Sequence, residues 1–169
     1  MERWRRIDAA SEQEARALLR TCCGAERWVG RMLARRPFGT EQRALEAARE
    51  EWFALSPAEW REAFSHHPRI GDVESLRKAF AGTRTLSERE QSGVADAAPG
   101  TLAGLLEGNR EYEARFGYIF IVCATGKPAS EMLDLLRKRL ANPPDTEIRV
   151  AAEEHAKICE LRLRTASAI

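Results

Sequence analysis

The chain has 169 residues, enough for one domain with a substantial core and too few for two comfortable ones. Its 27 Lys and Arg stand against 26 Asp and Glu, and a net charge of +1 leaves no electrostatic footprint for nucleic acid or an anionic membrane. Four cysteines, Cys22, Cys23, Cys123 and Cys159, have neither metal-site C-x-x-C spacing nor the density of a secreted scaffold, so free thiols in a reducing cytoplasm are expected.

The N-terminal Met1-Glu2-Arg3-Trp4-Arg5-Arg6 is charged and is followed by no apolar leader core. No run reaches the roughly 20 apolar residues of a membrane span, and the closing Thr165 to Ile169 is not a Ser-Lys-Leu type signal. Helix signals then follow in series. Ser11-Glu12-Gln13-Glu14 has capping-box spacing before Ala15, Leu18 and Leu19. Residues 27–35 and 41–55 carry apolar side chains at helical intervals and are separated by a turn at Pro37-Phe38-Gly39. Ser56-Pro57-Ala58-Glu59 combines an N-cap serine, a first-turn proline and an acid at N3.

His66-His67-Pro68-Arg69-Ile70-Gly71-Asp72 interrupts this pattern and places two of the three histidines side by side. Pro68 drives His67 out of the helical region, so its imidazole is presented from a defined backbone, suited to proton transfer near neutral pH. A weak helix over 73–80 leads to Gly82, and Ser87-Glu88-Arg89-Glu90 is a third capping box, with Ser87, Glu90 and Gln91 on one face. That helix end suits an anionic or amide-rich ligand, although a capping box requires no ligand at all.

Pro99-Gly100 opens a helix that stops at Phe116-Gly117. Tyr118 to Ala124 is β-branched and aromatic without alternation, yet no partner strand is evident, so a buried extended segment or a helix start are the alternatives. Ser130 is expected to cap a helix through Leu140, and Asp145 or Thr146 to start the last one. In that helix Ile148, Ala151, His155, Ile158 and Arg162 form one stripe, which turns Arg162 inward. It then needs a buried carboxylate or a ligand oxygen as partner. His155 reads as a core histidine, and no third ligand stands at zinc spacing. The boundary signals predict an all-α, single-domain bundle of about eight helices spanning residues 1–169.

Taken in order, His67-Pro68-Arg69-Ile70-Gly71-Asp72, Ser87-x-x-Glu90-Gln91, Phe116 to Ala124 and Lys157 to Leu163, together with Arg36-Pro37-Phe38, resemble the OHCU decarboxylase family over nearly the whole chain. Tyr118, where phenylalanine or a similar residue is common, and Asp72, where glutamate is frequent, are tolerated departures. The resemblance implies decarboxylation of 2-oxo-4-hydroxy-4-carboxy-5-ureidoimidazoline to (S)-allantoin in urate breakdown, by an all-α homodimer with neither a metal nor an organic cofactor. It implies His67 as the proton-handling catalyst with Glu90 beside it. Substrate would be held by Pro68, Ser87, Gln91, Arg162 and the backbone of Phe120, Ile121 and Val122. The alternatives are a catalytically silent binding module of the same family and a decarboxylase of a related ureido acid. The expected partner is a small molecule, with no nucleic acid and no membrane.

Overall fold

The computed structural model describes residues 1–68, residue 74 and residues 99–165. Among them are eight α-helices and no strand: α1 (Arg3–Ala9), α2 (Glu12–Cys22), α3 (Glu26–Ala34), α4 (Glu41–Phe53), α5 (Pro57–Ser65), α6 (Pro99–Phe116), α7 (Ala129–Leu140) and α8 (Pro144–Arg164). The all-α expectation holds. No described helix is long and apolar enough to cross a membrane. The chain divides into two compact units, one built from residues 1–67 and 152–169 and the other from residues 68–151.

In the first unit the helix starts are set by local chemistry. Ser11 and Ser56 each accept a bond from the N3 amide while Glu14 and Glu59 reach back to the cap amide, so both predicted capping boxes are formed. Thr40 caps α4 through the amide of Arg43. Helix α1 carried no comparable mark, and its N-cap Glu2 makes no side-chain cap bond. It is fixed from elsewhere: the Arg3 amide donates to Thr165 O, and Ile7 is fully buried. The turn at Pro37-Phe38-Gly39 is held by Asp8, whose carboxylate accepts the amides of Phe38 and Gly39, both at 2.9 Å. Glycine suits its φ of +74° there.

Helix α2 packs on α1 and α3, and α4 packs on α3 and α1. Three tryptophans tie the core by spending their indole N–H on backbone carbonyls: Trp28 on Ala48, Trp52 on Ala152 and Trp60 on Trp52. Buried indoles need such partners, and each bond fixes the ring as well as satisfying it.

The second unit centres on α6 against α7. Gly104 and Gly108 lie one turn apart on α6, and a Cβ on Gly108 would come within 2.6 Å of Leu136 Cδ2. Glycine therefore sets how closely the two helices approach. The expected cap at Ser130 is displaced: α7 starts at Ala129 with Pro128 at the N-cap and no side-chain cap bond. Helix α8 likewise starts at Pro144, the first-turn position that a missing N–H makes favourable, one residue before the expected start.

Candidate active site

Helix α5 ends where the sequence runs out of helix-compatible residues. Pro68 disfavours helical backbone at His67, and the chain closes α5 with turn bonds from the amides of His66 to Ala63 O and of His67 to Phe64 O. His66 is exposed and His67 half-buried. The turn lies against Gly24, where a Cβ would fall 2.4 Å from the His66 ring and 2.7 Å from its Cβ. Only glycine leaves room for this approach.

The His67 ring meets His155 edge to face, with centroids 5.1 Å apart and planes at 79°. His155 is fully buried and stacked on Trp52 at 4.3 Å. Burial, then the Arg162 guanidinium and His66, push the His67 pKa down to about 4. The same burial, with His67 and Arg162 nearby, drives His155 well below the ordinary histidine range. Both imidazoles are therefore neutral at pH 7, which makes His67 a proton acceptor at rest.

Arg162 sits at the edge of the buried stripe of α8 and not on its centre line. The buried positions are Ile148, Ala151, Ala152, His155, Ala156, Cys159 and Leu163, while Ile158 and Arg162 are half-buried. Among the described residues its side chain pairs with no carboxylate; instead Nη1 donates to the backbone carbonyl of Cys22 at 3.0 Å. That bond uses one of five guanidinium N–H groups and aims the fork, which among the described residues leaves further donors for an anionic or carbonyl ligand. Arg164 falls off the stripe as expected and pairs with Glu41 at the surface.

The second unit holds the predicted backbone segment. Residues 117–128 are non-helical, with Tyr118, Ile121 and Cys123 buried and Ile119, Phe120 and Val122 half-buried, so the buried-segment alternative is the correct one. A buried cluster that the motifs did not reveal holds it. Arg139 donates from Nη1 to Ile121 O at 2.7 Å, pairs with Glu147 at 2.6 Å and lies 4.5 Å over the Phe120 ring. Glu147, fully buried, also accepts from Asn142 at 2.7 Å and from the Tyr112 hydroxyl, whose pKa burial and that bond raise. A buried arginine and carboxylate satisfied on several sides can tolerate the loss of water, and together they fix a carbonyl that no regular helix would hold.

Pro68 is exposed at the end of the described stretch. Ser87, Glu90 and Gln91, with the predicted helix over 73–80, lie outside the described residues except for Glu74, which is helical and exposed. The structure thus brings His67 and Arg162 together in one unit and orders Phe120, Ile121 and Val122 in the other. It also shows residues that motif reading missed, Gly24, His155 and Arg139. A signal existed for His155, an inward histidine on the α8 stripe, but Gly24 and Arg139 act through contacts 42 and 18 residues away in sequence.

A buried, neutral histidine beside an arginine places a proton acceptor next to a fixed positive charge, in a helical framework among the described residues. Residues 8–164 match the OHCU decarboxylase family, and the chain belongs to it. It is 39% identical over 147 residues to the uric acid degradation bifunctional protein TTL of Arabidopsis thaliana, covering 85% of this chain and 44% of that protein. It is 33% identical over 138 residues to the 2-oxo-4-hydroxy-4-carboxy-5-ureidoimidazoline decarboxylase of Amia calva, covering 81% and 75%. The chain therefore spans under half of the bifunctional relative and three quarters of the second. A crystal structure of an OHCU decarboxylase in the presence of (S)-allantoin superposes with a TM-score of 0.70 at 35% identity, over 91% of this chain and 96% of that one.

Proposed function

We propose that this protein decarboxylates 2-oxo-4-hydroxy-4-carboxy-5-ureidoimidazoline to (S)-allantoin, as one domain over residues 1–169, as a cytoplasmic homodimer in urate breakdown, without a cofactor. The observation that carries the reading is the neutral His67 beside Arg162, in a chain similar to a decarboxylase crystallised with (S)-allantoin.

The reaction breaks the C–C bond to the carboxylate. Its electron pair enters the adjacent C=N unit of the ring, and a proton ends on carbon to give allantoin. The substrate's own ring is the electron sink, so the protein is asked to orient the carboxylate and to move protons. Arg162, aimed by its bond to Cys22 O, suits the first task. His67, neutral at rest, suits the second: it takes the hydroxyl proton as the carbonyl of the product forms, and as imidazolium it can return one. Glu90 is assigned to hold the substrate hydroxyl and to stabilise that imidazolium, and Ser87 and Gln91 to grip the ureido amides. Pro68 is assigned to stiffen the backbone after His67, and the backbone of Phe120, Ile121 and Val122, held by Arg139, is assigned to bind substrate.

The test is made on fresh substrate, generated from urate by urate oxidase and hydroxyisourate hydrolase, with allantoin followed by circular dichroism. A faster rise to one enantiomer supports the reading. An unchanged rate and a racemic product would sink it in favour of the catalytically silent binding module, and turnover only of another ureido acid would move the assignment to a related decarboxylase.

A further inference from the structure

Behind His67 lies a cluster that the proposed reaction does not use. One donor atom from each of Cys23, His155 and Cys159 falls within 4.8 Å of the other two. His155 and Cys159 stand one turn apart on α8, and Cys23 follows α2 with extended backbone. The sequence hides this grouping, because Cys23 is more than a hundred residues from the other two. Cys23 and His155 are fully buried and Cys159 is 3% exposed.

The spacing comes near that of a bound metal. Zinc bound tetrahedrally at about 2.3 Å to sulfur and 2.1 Å to nitrogen has ligand edges of about 3.6 Å for S to N and 3.8 Å for S to S. The Cys159 Sγ to His155 Nδ1 distance is already 3.3 Å. Two thiolates would offset the charge of a divalent ion, and the neutral imidazole is the form that ligates. The ring is also poorly accounted for as ordinary core. Nδ1 meets only a thiol, a weak hydrogen-bonding group, and Nε2 is buried without a hydrogen-bond partner among the described residues. Cys22 O, which now accepts from Cys159 Sγ at 3.3 Å and from Arg162, sits beside the cluster.

We propose that Cys23, His155 and Cys159 form a buried binding site for a thiophilic d10 cation of the Zn2+ class. This site is separate from the decarboxylation chemistry and does not depend on that assignment.

The experiment uses the full chain, stripped of metal with a chelator, held reduced with a phosphine and titrated with Cd2+. The expected result is one tightly held Cd2+ per chain with an ultraviolet thiolate-to-cadmium charge-transfer band, displaced by Zn2+. Cys23→Ala and Cys159→Ala should each weaken that band and lower the affinity, while Cys22→Ala and Cys123→Ala keep both. Absence of the band in the wild-type protein overturns the site without reference to any variant. So does a full-intensity band in the Cys23→Ala, Cys159→Ala double variant, which would assign the metal to other thiols.

Discussion

The imidazole of His67 presents its contact to the face or edge of His155 at 5.1 Å between centroids, and His155 in turn lies flat on Trp52 at 4.3 Å. A loop histidine is thereby backed by a buried ring stack. The loop supplies access and the stack supplies desolvation, which is the combination that moves a histidine pKa while leaving its nitrogen able to react.

Substitution His67→Asn is expected to lower turnover by 100-fold or more, roughly the contribution of a positioned acid–base group, with the helical circular dichroism spectrum retained. His66→Ala should keep most of the activity, since His66 is exposed while His67 is the half-buried ring against His155. Rate and spectrum measured on both variants decide it, and near-normal turnover in the His67 variant removes the central assignment.

The pH profile should carry the signature of a depressed histidine. With the His67 pKa at about 4, kcat/KM is expected to be flat from neutral pH down to about 5 and to fall below that, whereas an unperturbed imidazole would start the fall near 6.5. Stability follows the same sign. Between about 4 and 6.5 the unfolded chain binds the proton and the folded one does not, so stability is complete above about 6.5 and declines as pH drops through that window, by at most about 3 kcal/mol for this group. Urea melts at a series of pH values read the second effect independently of the first.

Gly24→Ala tests whether the histidine turn is positioned by close approach. The added methyl would overlap the His66 ring and Cβ, so the turn must shift. A loss of at least 10-fold in kcat/KM is expected, with a stability cost of about 1–3 kcal/mol for overpacking. Unaltered kinetics would show that the turn yields without moving His67.

Arg139→Leu removes the cation that faces Glu147 and the donor to Ile121 O. Leaving a buried carboxylate unpaired costs roughly 3–5 kcal/mol, and the 118–124 backbone loses its anchor. The paired change Arg139→Leu with Glu147→Leu should recover part of the stability and none of the backbone anchoring. Thermal melts of the single and double variants, with KM for the double variant, separate the two roles.

Glu90 lies outside the described residues, and its two readings differ in what they make measurable. As a capping residue, Glu90→Gln would cost under about 1 kcal/mol and leave the rate alone, since glutamine can still reach the cap amide. As the residue beside His67, the same change should lower turnover by roughly 100-fold. A thermal melt and a rate assay on this variant settle which reading stands.

How much the sequence carried depended on the range of the interaction. Capping boxes at Ser11 and Ser56, the turn at Pro37-Phe38-Gly39 and the break at Pro68 were all legible, because a cap bond or a proline ring acts within three or four residues and needs no tertiary partner. His67 and Arg162 were legible as motif residues of a family. Their relation was not: the carbonyl that aims Arg162 belongs to Cys22, 140 positions away, and the ring that buries His67 is on α8. Helix α1 escaped notice for the same reason, being anchored by Thr165 and not by a cap of its own. The neutral state of His67, the fit of His66 over Gly24, the grip of Arg139 on Ile121 and the meeting of Cys23 with Cys159 all arise from which surfaces the packed helices exclude from water. Desolvation and close approach are properties of the packed interior, and only the tertiary structure decides them.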